Sequence, residues 1–271
     1  VIQRGDYWRA GSKMIFSNPF FGLGFDNYGN WYRSFRDSLA ASRFKGSVIS
    51  NSAHNVFIDM GVNSGILGLL AYLILILFCM HRIVNHFRSI QKYDPFIVGV
   101  FVAWVCYLTQ AIISINNIAL GIFGWVLPGI LISLTNNEIK KLDKERKSEK
   151  RSIRTSDFLI SLGAVIGILI GSIPFRADIR FRQAIESRNS QILYSVSKEF
   201  PFENTRLLIA AEIFRRNNFS DKAHELAILA TKNNPRDFEA WNFLYKLPNL
   251  SSMEKNLIMS RLKKLDPNIK I

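Results

Sequence analysis

Charged residues are absent from three blocks of the chain, and those blocks set its predicted architecture. The first runs from Met60 to Met80, 21 residues. The second runs from Pro95 to Asn137, 43 residues, and the third from Phe158 to Phe175, 18 residues with Pro174 next to its end. About 20 apolar residues in a helix cross the ~30 Å hydrocarbon core of a bilayer. The first block predicts one spanning helix over roughly 63–82. The second is too long for one helix and predicts a hairpin of two, turning at the polar knot Ser114-Ile-Asn-Asn117. The third predicts a fourth helix. Ahead of the first block, Trp8 to Ile15 has the spacing of an amphipathic helix that stops at Ser17-Asn18-Pro19, because proline disfavours a helical residue before it. Phe21-Gly22-Leu23-Gly24-Phe25 predicts a tight turn, with Asp26 or Asn27 capping the next helix.

Beyond Pro174 the pattern changes from continuous to periodic. Apolar residues recur at helical spacing in the sets Leu207, Leu208, Ala211, Phe214, then Ala223, Leu226, Ala227, Ala230, then Phe238, Trp241, Leu244. Pro201 and Pro235 are 34 residues apart, and Asp266-Pro267 follows near the same interval. That period predicts tetratricopeptide-like helix pairs, which bind partners or pack on neighbours. The expected fold class is all-α: a polytopic transmembrane helical protein with an extracytoplasmic loop and a C-terminal helical-repeat domain. The expected organisation is an extracytoplasmic catalytic loop over 1–60, three transmembrane helices over 61–137, a basic cytoplasmic loop over 138–157, a fourth transmembrane helix over 158–175, and an extracytoplasmic helical domain over 176–271.

Composition and charge refine this picture. Apolar residues make up 48% of the chain, with 21 phenylalanines, and concentrate in the blocks. The first residues read as the interior of a domain, so a longer protein is expected. Eight Lys/Arg occupy 138–157, and the loop at 81–94 is also basic. These loops are two crossings apart and share one side, which the enrichment of Lys/Arg in cytoplasmic loops assigns to the cytoplasm. Residues 1–60 and everything after Pro174 then fall outside, in a bacterial inner membrane. The net charge of +14 comes with no zinc spacing or aromatic–basic motif, so no nucleic-acid partner is expected. Cys79 and Cys106 lie inside apolar runs with no ligand spacing, and no metal or cofactor is expected.

Candidate chemistry clusters before the first spanning helix. In order stand Arg4-x-x-x-Trp8, Asn18-Pro-Phe-Phe-Gly-Leu-Gly24, Ala53-His-Asn55 and Gly65-Ile-Leu-Gly-Leu-Leu70. This series resembles the O-antigen ligase and O-antigen polymerase family of bacterial membrane glycosyltransferases, over about residues 1–135. The resemblance implies transfer of a glycan from an undecaprenyl-diphosphate carrier to an acceptor hydroxyl on lipid A–core, another glycan or a protein. It also implies an essential outer-loop arginine at Arg4 and a histidine at His54. Arg33, Arg36 and Arg43 are further candidates for binding the diphosphate, and Asn55 for orienting His54 or capping the turn. The physical logic agrees. A lipid diphosphate leaves as an anion and needs charge stabilisation, which the forked guanidinium supplies. An acceptor hydroxyl needs a base, and a histidine near pKa 6.5 can serve. Asp59 reads as an N-terminal charge favoured by the helix dipole.

Two other classes compete. A glycolipid exporter subunit requires ionisable residues within the spans, which hold essentially none. A membrane-anchored scaffold recruiting a protein partner through the repeats would need those repeats and could dispense with His54.

Overall fold

The computed structural model describes residues 2–43, 49–89, 94–115, 117–135, 155–248 and 250–269. The fold is all-α, with no strand among the described residues. The chain divides into two compact units, Val1–Arg151 and Ser152–Ile271. The basic stretch 136–154, Lys45 and Asn116 of the predicted turn lie outside the described residues.

In the first unit, α1 (Ile2–Ser17) is longer than the predicted Trp8–Ile15 helix. Tyr7, Ala10 and Met14 recur at three- and four-residue steps and bury one face, which holds the helix together despite its two internal glycines. It ends where proline forces it to, with Asn18 N–H still bonded to Met14 O at 3.2 Å. Two short helices follow, α2 (Tyr28–Phe35) and α3 (Ser38–Ser42). Asn27 stands at the N-cap of α2, but its side chain makes no cap bond. Its amide donates instead to Leu23 O at 3.1 Å, closing the glycine turn. The core here joins Tyr7, Ala10 and Met14 to Tyr28, Tyr32, Ala53 and Val62.

The helix carrying the first apolar block, α4 (Val56–Ser89), starts earlier and ends later than the predicted 63–82. It is not continuous. Gly65 has φ 71° and ψ −173°, a conformation open essentially to glycine alone. An intact helix would bond Ile66 N–H to Val62 O. Here Ile66 N–H donates to Pro19 O at 2.6 Å, and Val62 O accepts from Leu23 N–H at 2.7 Å. Gly24 N–H adds a third link, to Asn63 O at 3.1 Å. The 19–24 turn therefore supplies the partners that the break removes. Gly61, Gly65 and Gly68 fall on one face of a regular helix, where small residues permit close approach of a helix or a lipid chain. In the structure α1 reaches Gly61 through Ile15, the Phe20–Phe21 backbone fills the space at Gly65, and Gly68 meets Ser64 of its own helix.

The hairpin follows as α5 (Pro95–Ala111) and α6 (Ile118–Leu134). Asp94 caps α5 by accepting from Phe96 N–H at 2.9 Å, with Pro95 in the first turn where its missing N–H costs nothing. Asn117 caps α6 by accepting from Leu120 N–H at 2.9 Å. Trp104, Tyr107 and Leu131 lie in the core these helices share with Cys79 and Ile83 of α4. Each hairpin helix has 17 residues, about 25 Å at 1.5 Å per residue, which is short of a full crossing. Two helices among the described residues are long and apolar enough to cross a membrane, Val56–Ser89 and Phe158–Glu186.

In the second unit, α7 (Thr155–Glu186) is one helix where a spanning segment ending at 175 was expected. Its apolar part from Phe158 is exposed, whereas Ala177, Phe181 and Ala184 are buried. Five helices follow: α8 (Ser190–Ser197), α9 (Asn204–Arg216), α10 (Ser220–Asn233), α11 (Phe238–Tyr245) and α12 (Ser252–Leu265). They pack in sequence, α7 on α8, α9 on α10 and α11 on α12, and each pair also touches the next. This is the arrangement of a repeat region. Ala210, Ala211, Ala223, Ala227 and Ala230 are fully buried and let α9 and α10 approach closely around Phe214 and Leu226. The starts of α9 and α11 are tied together, since the Asn204 amide donates to the Asp237 carboxylate at 2.7 Å and to Ala230 O at 3.0 Å.

Candidate functional site

The segment before α4 is tied down residue by residue. Asn55 Oδ1 accepts from Phe57 N–H at 3.0 Å and Ile58 N–H at 3.1 Å, so Asn55 caps α4. His54 adopts φ 56°, in the left-handed region, and its N–H donates to Ser52 Oγ at 2.9 Å. Ala53 N–H donates to Asp59 Oδ1 at 2.6 Å. The buried Ala53 side chain anchors this turn in the core.

That turn delivers the His54 imidazole onto the ring of Tyr7, stacked with centroids 5.4 Å apart and 20° between planes. The Tyr7 ring in turn meets Tyr32 edge-on at 5.5 Å, and the Tyr28 hydroxyl donates to Tyr7 O at 2.6 Å. Arg4 lies one helical turn before Tyr7 and is exposed. Burial lowers the His54 pKa from its ordinary value, and the positive charge of Arg4 lowers it further. The imidazole is therefore held neutral near pH 7, with a lone pair free to accept a proton.

Two carboxylates set the surroundings. Asp6 is buried and paired with Arg9 and Arg43. Asp37 is paired with Lys13 and, at 3.0 Å, with Arg9. Its hydrogen bonds from Lys13 and Arg9 keep its carboxyl below the usual range. Asp59 lies ahead of the break in α4, before the apolar run. Burial raises its carboxyl to about 6, against the lowering effect of bonds from Ala53 and Ser52. Desolvation outweighs the helix dipole expected to favour its charge.

The structure thus brings Arg4 and His54 together across 50 positions of sequence and leaves Asn55 beside them as a cap. The other arginines are placed differently. Arg33 and Arg36 are 9% and 5% exposed, and Arg36 lies close enough to act electrostatically on Tyr32. Arg43 is committed to Asp6. Tyr7 was missed in the sequence, although its three-residue offset from Arg4 on a helix was a usable signal. Among the described residues no cluster of His, Cys, Asp or Glu could hold a metal.

Compared with known protein families, residues 1–73 match O-antigen ligase. This similarity spans α1, the 19–24 turn, the His54 turn and α4 just past its break. No curated protein and no solved structure matches the chain. The all-α fold, the two apolar helices and the family similarity are consistent with a membrane-associated, glycan-handling protein.

Proposed function

We propose that this chain belongs to a multi-pass membrane glycosyltransferase of the bacterial inner membrane, working on the extracytoplasmic face without a metal. The donor is a glycan on undecaprenyl diphosphate, and the acceptor is a hydroxyl of lipid A–core, of another glycan or of a protein. The reading rests on one observation: the turn before α4 stacks the His54 ring on Tyr7, one helical turn from Arg4, within the segment similar to O-antigen ligase.

In the proposed reaction the acceptor oxygen attacks the anomeric carbon of the glycan. The new glycosidic bond forms as the anomeric carbon–phosphate oxygen bond breaks. The acceptor proton passes to the His54 imidazole, and undecaprenyl diphosphate departs as an anion. Arg4 holds that anion with a permanent charge and forked donors. A histidine stacked on Tyr7 has a restricted ring orientation, which suits a base that must meet one hydroxyl. Arg33, Arg36 and Arg43 serve chiefly to shape the loop. The C-terminal helix pairs suit a protein partner, and their tetratricopeptide character rests on the 34-residue period.

The test is glycan transfer from a lipid-diphosphate donor in membranes carrying the intact protein. His54→Ala and Arg4→Ala are each expected to lower transfer by about 10²-fold or more. Full activity with either change removes that residue from the mechanism. Transfer that survives both changes but is lost on deleting 176–271 favours the scaffold.

A further inference from the structure

We infer that the turn holding α4 at its break is also a membrane-inserting wedge, whose phenylalanines sit in the acyl region of one leaflet of a phospholipid bilayer. Phe16, Phe20, Phe21 and Phe25 are 67–81% exposed. Four large aromatic rings so exposed, within ten residues, form an apolar patch that is costly in water. No charged residue occurs from Ser17 to Phe25.

The position of these rings identifies what covers them. Three backbone bonds fix the turn to α4 at Val62, Asn63 and Ile66. The turn therefore cannot move independently of the helix. Directly beyond the break, Ile66, Leu67, Leu70, Ile74 and Leu77 are exposed in their turn, in a stretch with no charge as far as Met80. The apolar surface of the turn is thus level with the start of the apolar surface of the helix. Whatever hydrocarbon covers the helix meets the rings as well. Polar anchors limit the depth: Asp26 and Asn27 follow the last ring at once, and Asn18 precedes the first pair. The wedge would hold the break, and with it the His54 turn twelve residues upstream of Ile66, at a fixed height above the bilayer.

This inference rests on the membrane reading, so its test carries an internal standard for that reading. Cys79 and Cys106 are replaced by alanine, and a single cysteine is placed at Phe21, Ile74 or Ser42 in the full chain. Each is labelled with an environment-sensitive fluorophore and reconstituted into phosphatidylethanolamine–phosphatidylglycerol vesicles. Quenching is read from nitroxide-bearing lipids and from aqueous iodide. The expected result is blue-shifted emission and loss of intensity to lipid nitroxides at 21 and 74, with iodide quenching confined to 42. A label at 21 that iodide quenches as it does 42, while 74 responds to lipid, overturns the wedge and leaves the spanning helix intact. A label at 21 shielded from both quenchers shows a protein cover and also overturns it. A label at 74 that lipid nitroxides fail to reach removes the membrane reading, and the wedge with it.

Discussion

The imidazole of His54 lies on the phenol ring of Tyr7, 5.4 Å between centroids, and this stack forms part of the burial around it. Burial is the larger cause of its lowered pKa, and the charge of Arg4 is the smaller. Tyr7→Ser is therefore expected to raise the His54 pKa more than Arg4→Gln does. Transfer should fall as pH drops through the His54 pKa, because the protonated ring accepts nothing. Both substitutions should move that acidic limb to higher pH. NMR titration of the His54 ring checks the order, and an unmoved pKa in Tyr7→Ser would show that the stack is incidental.

Asp59 gives a stability effect of the opposite sense to most carboxylates. Its folded pKa is about 6, above the ordinary 3.8, so the folded state keeps the proton longer than the unfolded chain does. The stabilisation is complete below about pH 4 and is lost as pH rises through 6. At pH 8 the buried charge costs on the order of 2–3 kcal/mol. Asp59→Asn keeps an acceptor for Ala53 N–H and carries no charge. It should raise the melting temperature at pH 8 and change little at about pH 3.5, read by thermal unfolding in detergent. A gain independent of pH would contradict the assignment.

Two glycines of one stripe should behave differently. At Gly65 an alanine meets the Phe20 carbonyl backbone and must hold a φ of +71°. Strain of this kind costs about 1–3 kcal/mol before any steric clash is added. At Gly61 the obstacle is the end of the Ile15 side chain, which can rotate away. Gly65→Ala should lower the unfolding temperature well below that of Gly61→Ala. It should also open the 19–24 turn to limited proteolysis.

In the C-terminal unit, Asn204 joins its helix pair to the next through Asp237 and braces its own pair through Ala230. Asn204→Ala should destabilise by about 1–2 kcal/mol. A double-mutant cycle with Asp237→Ala should return a coupling of about 0.5–1.5 kcal/mol, and zero coupling would show that the bond contributes nothing.

Arg43→Ala tests whether that arginine is structural. It removes one of the two arginines paired with the buried Asp6 and keeps the pair with Arg9. Stability should fall by about 1–3 kcal/mol, with no change in the donor concentration needed for half-maximal transfer. A rise in that concentration at unchanged stability would return Arg43 to the donor site.

Helices were legible in the sequence wherever apolar periodicity or uninterrupted apolar runs dictated them, as in α5, α6, α9 and α10. The stop at Pro19 and the turn between the hairpin helices were legible for the same local reasons. The break at Gly65 was not. Glycines at 61, 65 and 68 fit one face of an intact helix, and only the distant 19–24 turn, by donating and accepting the displaced bonds, makes a break tolerable. Arg33 and Arg36 read as candidates for binding the diphosphate, because charge along a sequence does not reveal which arginines fold inward. The nearness of Arg4 and His54 was implied by resemblance alone. Its physical cause is that α1 packs on α4, a contact between elements fifty residues apart.

Because Ile66 takes its backbone partner from Pro19, the two halves of α4 need not share one winding. Their relative rotation is set by the 19–24 turn, which bonds Val62 and Asn63 on one side of Gly65 and Ile66 on the other. The turn thus acts as a splint, fixing the phase between the reactive end and the embedded end.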